Sequence, residues 1–527
     1  MRYSFIITIS LLLILVSCRK DFDTIPNSGK LEFSKTTVYL DTVFSNISSS
    51  TYQLKVYNKS NNDINIPSIG LKKGNNSKYR ILVDGKIGVD SDNNGFGDGK
   101  LFSNVEILAN DSLYIFIEAT TDIANANPTD LLYTDEILFD GGSSYEQKVN
   151  LVTLIQDAVF LYPERYPKQN GGYTYEPLPI GSNPPQNIYG FFLSDNDPLN
   201  GNELVFTNAK PYVIYGYAAV PPGKTLVINP GARVHFHDAS GIIVAKTGSI
   251  QVNGTTSTDP KLLEKEVIFE GDRLEPDFSE VPGQWGTIYL TNGSTNNSFT
   301  NLTIKNASVG ILIEGKDATT VQIKNTQIYN SSNIGILTRN AKLNGENIVI
   351  NNAGQYALAT TLGGIYQFKH CTFTNFWKGG SRQSPAVLVD NTFFDGTTVF
   401  IADLQAKFYN SIIYGSNNIE LGLNKNNGAL FDFNIENCLI RFNDINNVFD
   451  NNATYAPIRN ATNVLSNNAN SNNPQFRNID KNNLRIGLNS PAKAKGNTLY
   501  LVPNDADGKL RTSPSNPDLG AYEHLSD

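Results

Sequence analysis

The feature that most limits what this chain can fold into is a short apolar phrase that keeps returning. Between residues 301 and 442 the sequence reads NLTIKN, NTQIYN, NIVINN, HCTFTN, NTFFDG, NSIIYG and NCLIRF. The fourth positions are Ile304, Ile328, Ile350, Phe373, Phe394, Ile413 and Ile440, at intervals of 24, 22, 23, 21, 19 and 27 residues. Three short strands at about 3.3 Å per residue plus three turns use up one such interval, so each repeat makes one coil of a solenoid. A single coil cannot bury its inner face and must stack on the next. Alternation along each strand turns the position after the anchor outward and the position two after it inward. The inward set contains Asn306, Asn330, Asn352 and Asn375, which are expected to stack as a structural asparagine ladder that satisfies buried backbone. His370 stands at an asparagine position of the repeat and is read as structural.

The solenoid signal begins at about residue 206. PYVIYGYAAVPPGKTLVINPGARVHFHDASGIIVAKTGSIQVNG consists of apolar runs punctuated by PPG, NPG and TG. Residues 31–160 differ: TYQLKVYN puts Tyr52, Leu54 and Val56 on one strand face, and SLYIFIEAT does the same with Leu113, Ile115 and Ile117. About seven such strands predict an immunoglobulin-like β-sandwich. The fold class expected is therefore all-β, a sandwich followed by a right-handed parallel β-helix spanning 206–463. Residues 161–205, with seven prolines, are expected to be a linker or brace, and residues 464–527 a C-terminal coil or cap. Within that cap Asp507, Arg511, Asp518 and Glu523 are expected to tie the chain together.

Residues 1–17 carry a positive charge and the apolar run FIITISLLLILV, too short for a membrane span and typical of a secretory signal. The ending LVSC resembles the lipobox of bacterial lipoproteins, in which the cysteine, here Cys18, is acylated. Residues 18–30 would then be a tether, and Arg19-Lys20-Asp21-Phe22-Asp23 resembles a surface-export signal. Acyl chains contribute about 0.8 kcal/mol per buried CH₂, so dual acylation anchors firmly. The only other cysteines, Cys371 and Cys438, point inward and lie three turns of the repeat apart, too far for a disulfide. A net charge of −8 argues against a nucleic-acid partner.

The order of lipobox, alternating-strand module ending in IQDA, PYVIYG, GQWGTIYL, GGIYQFKHCTFTNF and DLGAYE resembles Bacteroidetes-type right-handed β-helix lipoproteins with a GAYE-type C-terminal coil. The resemblance implies fold and an outer-membrane, surface-exposed location, and implies no reaction.

Few residues of the chain are patterned for chemistry. The outward residues after the anchors are Lys305, Tyr329, Asn351, Thr374, Asp395, Tyr414 and Arg441, and one acid among seven makes neither a calcium cluster nor a glycosidase pair. His235, His237 and Asp238 offer half a metal site or, more simply, a surface pair. Asp90, Asp92, Asn94 and Asp98 at positions 1, 3, 5 and 9, with Gly95 at 6, have the spacing of a Ca²⁺ loop, or of a polar hairpin tip. A charged loop with Asp272, Arg273, Glu275, Asp277 and Glu280 precedes Trp285, and Tyr329, Trp377 and Tyr414 could stack on sugar rings. These observations favour a non-enzymatic lipoprotein that binds a glycan or a protein partner. The alternatives are a polysaccharide lyase or glycoside hydrolase and a structural component of an envelope assembly.

Overall fold

The computed structural model describes residues 23–125, 131–180, 186–315, 319–466, 472–511 and 516–524. Signal peptide, Cys18 and Arg19–Phe22 lie outside the described residues. The chain divides into two compact units, 1–157 and 158–527.

The first unit is a β-sandwich. One sheet runs Ile25–Pro26, Ile64–Leu71, Leu132–Phe139, Gln147–Gln156, Thr37–Phe44, with Leu101–Ile107 also paired to Ile64–Leu71. The other runs Glu32–Phe33, Tyr52–Tyr57, Ser112–Ala119, Tyr79–Val83. The period-two pattern fixes the inner faces: Leu54, Val56, Leu113, Ile115 and Ile117 are all buried in one core. That core also takes Val38, Ile66, Ile81 and Phe139.

The second unit is a parallel β-helix with three strand faces. The first face starts at Val159–Leu161 and climbs through Tyr212–Ile214, Arg233–Phe236, Val267–Gly271, Leu302–Lys305, Gln327–Ser331, Val349–Ala353, Thr372–Asn375, Ile412–Gly415 and Cys438–Ile440 to Val464–Ser466. Its register pairs Ile304 with Ile328, Ile328 with Ile350, Ile350 with Phe373, Phe373 with Ile413 and Ile413 with Ile440. Six of the seven anchors thus form one inward stack, buried with the rest of the helix core. Phe394 does not belong to it. Thr392–Phe394 pairs antiparallel with Val399–Ile401 in a hairpin inserted into one coil, and Phe394 is 61% exposed. Because that coil is lost from the count, Cys371 and Cys438 are two rungs apart, not three, with Ser411 on the rung between them. Both remain buried free thiols.

Within the expected linker at 161–205, Arg165–Pro167 and Tyr173–Tyr175 form an exposed hairpin of their own, while the stretch from Pro177 on already joins the helix. Gly190–Phe192 pairs in parallel with Tyr217–Ala219, and Pro177–Ile180 folds back on the same strand as a hairpin. Its prolines fall at an edge position, where a missing N–H breaks no interior ladder. The C-terminal segment also departs from expectation. Among the described residues after Val464–Ser466 no strand pairs in parallel with the coils, and this segment packs on the outside of the first face. Leu484, Ala521 and Tyr522 cover Tyr329 and Val349, while Ile486, Ala492 and Leu519 cover Ile412, Tyr414 and Leu439. Val349, Ile412 and Leu439 are apolar outward residues of this face, in one register row. Such residues need a cover to stay out of water, and the strap supplies it.

Candidate ligand-binding faces

The asparagine ladder is in place. Asn330 Nδ2 donates to Asn306 Oδ1 at 3.2 Å and Asn352 Nδ2 to Asn330 Oδ1 at 2.7 Å. Asn375 turns its carbonyl to the Ala353 N–H instead. All four are buried. Asn306, Asn330 and Asn352 have φ of 63°, 58° and 59°, the left-handed region that asparagine tolerates best after glycine. A second ladder occupies the other end of the strands, with Asn325 donating to Asn301 at 3.3 Å and Asn347 to Asn325 at 2.8 Å. His370 follows in this series, also at positive φ. Its Nδ1 accepts from Arg511 Nε at 3.1 Å, and Arg511 Nη2 also donates to Asn347 Oδ1 at 3.1 Å. Burial and the Arg511 charge hold the imidazole well below its usual pKa, so it stays neutral. Arg511 thereby locks the strap into the ladder, with Glu523 3.3 Å from its Nε on the other side. Asp507 is held by Arg485 and Asp518 by His524 Nδ1 at 2.7 Å.

The expected stacking platform on the first face is closed. Tyr329 and Tyr414 are only 7% and 8% exposed, because the strap lies over them. Trp377 is half-buried beyond the ladder. Trp285 is inside the helix, stacked on Phe236 with ring centroids 4.2 Å apart, its Nε1 donating to Lys305 O. The charged loop before it is folded onto itself: Arg273 lies over Phe278 and beside Glu275, and Glu280 accepts from Asn330 Nδ2 at 2.8 Å.

The two histidines part company. His235 is buried, its Nδ1 3.2 Å from Gly271 O, and desolvation lowers its pKa. His237 pairs with Asp272 Oδ2 at 2.7 Å, which raises its pKa. The Asp238 charge adds to the rise at His237.

Two groups among the described residues bring three ligating atoms within 4.8 Å of one another, Asp90/Asp92/Asp98 and Asp518/Glu523/His524. In the first, the carboxylates also accept from the loop's own backbone: Asp90 from the Asn94 and Gly95 N–H groups, Asp98 from that of Ser91. These bonds, led by Gly95, lower the Asp90 pKa. Asn94 spends its amide on Asp92 and its carbonyl on the Phe96 N–H. The second group is the strap's own fastening.

The face that sequence reasoning missed is the third one. Its strands are Thr225–Ile228, Ser249–Asn253, Ser298–Thr300, Val321–Lys324, the far ends of Ile334–Glu346 and Tyr356–Lys369, Leu404–Tyr409 and Phe431–Glu436. Leu226, Ile250, Phe299, Ile323, Leu343, Phe368 and Phe408 fill the core from it. Outward, the register lines up Gln251, Ser298, Gln322, Asn344, Gln367, Lys407 and Asn434 in one row. Every one of these is half-exposed. Successive rungs stand about 4.8 Å apart, so the row is a regular line of polar side chains, amides at every position but Ser298 and Lys407, more than 25 Å long, on the order of six rung spacings. No repeated phrase marked these positions, because the spacing between them varies with the turns.

No protein-family model and no characterised protein matches the sequence. Among solved structures, a PapD-like domain of human CEP192 aligns over 25% of this chain and 90% of its own, at 14% identity and a TM-score of 0.15. A family 123 glycoside hydrolase from Clostridium perfringens aligns over 25% of this chain and 30% of its own, at 10% identity and a TM-score of 0.16. Neither value is high enough to support an inference about this chain.

Proposed function

We propose that this chain is a non-enzymatic lipoprotein of the bacterial outer surface whose β-helix binds an extended glycan along its third face. The observation that carries the reading is the outward row from Gln251 to Asn434. Amides offer both donor and acceptor to sugar hydroxyls, and the sheet holds their backbone already in place, so binding orders side chains and not the chain. A catalytic reading would need an acid and a base, or two acids at about 5–9.5 Å, facing a common space. The amide row contains Lys407 and no acid.

The lipobox-like LVSC and the export-like residues after it support anchorage at Cys18, with the sandwich following the tether in chain order. A protein partner is the second reading, favoured by the inserted hairpin, where Phe394, Val399, Phe400 and Ile401 are all more than 40% exposed.

A glycan array probed with the wild-type chain and with an Asn344→Ala/Gln367→Ala variant tests the proposal. Both positions are half-exposed, so the variant is expected to fold and to lose the array signal. Equal signals from the two would remove the third face as the binding surface.

A further inference from the structure

The third face has a charge pattern at odds with the chain as a whole, and it narrows the ligand. Beside the amide row run two more outward rows. One is Thr300, Lys324, Glu346, Lys369, Tyr409 and Glu436; the other is Lys342, Ile365, Gln405 and Asp432. Lys342, Lys369 and Lys407 therefore surround Asn344 and Gln367 on three consecutive rungs. Two rung spacings by four residues of strand make this a patch of about 10 by 13 Å of backbone. All three lysines are half-exposed, and none makes an ion pair within 4.0 Å among the described residues.

The acids of the face are otherwise engaged or at its end. Glu346 is bridged to Lys324 at 3.1 Å. Glu436 accepts from Asn434 Nδ2 at 3.1 Å and from the Tyr500 hydroxyl at 2.9 Å. Asp432 stands on the last rung. Glu346 stands in the patch, opposite Lys369 in register, but is bridged to Lys324, so in a chain of net charge −8 three ammonium groups outside any ion pair against this one engaged carboxylate make a local reversal of sign.

We infer that the third face takes a polyanionic polysaccharide, one carrying carboxylates or sulfates, with Lys342, Lys369 and Lys407 on its charged groups and Asn344 and Gln367 on its hydroxyls. This rests on the reading of that face as the glycan-binding surface. The ammonium groups act as point charges on flexible stems and suit anions spaced along a polymer. A nucleic acid is the other common polyanion, but single strands are gripped by stacked aromatic rings. Of the apolar neighbours of these amides among the described residues, Ile365 is aliphatic, and Tyr409 is only 7% exposed with its ring already stacked on Tyr500.

Titration calorimetry of the full chain tests the inference with four probes: polygalacturonate, its methyl ester, dextran sulfate and dextran. At least one of the two polyanions is expected to bind about tenfold or more tighter than its neutral counterpart, a difference of about 1.4 kcal/mol. That binding is expected to weaken at 0.5 M salt, where the Debye length falls to about 4 Å. Lys342→Gln/Lys369→Gln/Lys407→Gln should abolish the preference for charge, while the circular dichroism of the variant stays that of the wild type. Should the triple variant fail to fold, Lys407→Gln alone, expected to weaken polyanion binding about tenfold, carries the test. Equal binding of charged and neutral polymers, insensitive to salt, would overturn the polyanion inference and leave the glycan face standing. Failure of both polyanions overturns the inference, and if the array is blank as well, the glycan face falls with it. Single-stranded or duplex DNA, run beside the four carbohydrate probes, binding more tightly than dextran sulfate would overturn the polysaccharide assignment.

Discussion

Replacing Asn352 by leucine tests the rung register at its tightest point. Asn352 sits in the ladder at φ 59°, its amide donating to Asn330 Oδ1 at 2.7 Å and its carbonyl accepting from the Lys378 N–H at 3.1 Å. Leucine removes the donor seen on Asn330 Oδ1, leaving a buried acceptor unsatisfied at a cost of about 1–3 kcal/mol. Lys378 is exposed and its N–H can turn to water, so that loss contributes little. The left-handed conformation adds about 1–2 kcal/mol for a side chain without asparagine's local hydrogen bonding. The sum is roughly 2–5 kcal/mol. Asn352→Gly discards the amide but not the backbone fit, and is expected to fall between wild type and Asn352→Leu. Both tryptophans, Trp285 and Trp377, lie in the helix unit, so urea unfolding followed by tryptophan fluorescence reports on the helix and not on the sandwich. A lower midpoint in the order wild type, glycine, leucine is expected. A leucine variant as stable as wild type would refute the ladder, and with it the inward placement of the whole stack.

Further outcomes follow from the same geometry. Since the His370 pKa is depressed in the folded state from 6.5, the folded protein holds fewer protons there than the unfolded chain, and stability falls as pH drops below about 6.5. His370→Asn, which restores the ladder residue, should flatten that part of the stability–pH profile measured by urea unfolding; an unchanged profile would acquit His370. Cys371 and Cys438 should resist thiol reagents in the native state, because burial raises both thiols, Cys438 to about 12. Labelling of either without denaturant, seen by mass spectrometry, would contradict the rung placement. Under the lipoprotein reading, Cys18→Ala releases the chain from the membrane fraction with its fold intact, and equal pelleting of the variant would defeat the lipobox assignment.

The solenoid was legible because one face repeats a phrase whose anchors must point inward on every rung. The same regularity misled at NTFFDG, where Phe394 matches the pattern but belongs to a hairpin; an apolar residue flanked by polar ones reads alike in a coil strand and in a short hairpin. The strap was hidden for a different reason. Tyr329 and Tyr414 look like exposed rings from alternation alone, and only the long-range contacts of Leu484, Ile486 and Leu519 show that they are covered. The amide row was invisible because Gln322, Asn344, Gln367 and Lys407 come into line only when the register of two long, corner-turning strands, Ile334–Glu346 and Tyr356–Lys369, is known. Sequence shows the period of a coil more readily than the phase of each of its faces.

The central claim is that the third face, and not the strapped first face, holds the ligand. Lysine-acylation footprinting by mass spectrometry tests it most directly, comparing the chain alone with the chain bound to the tightest polymer from the array. Protection of Lys342, Lys369 and Lys407, with Lys378 beside the ladder and Lys481 in the strap unchanged, is the predicted result. Protection confined to Lys378 and Lys481, or to lysines of the sandwich such as Lys55 and Lys72, would contradict it.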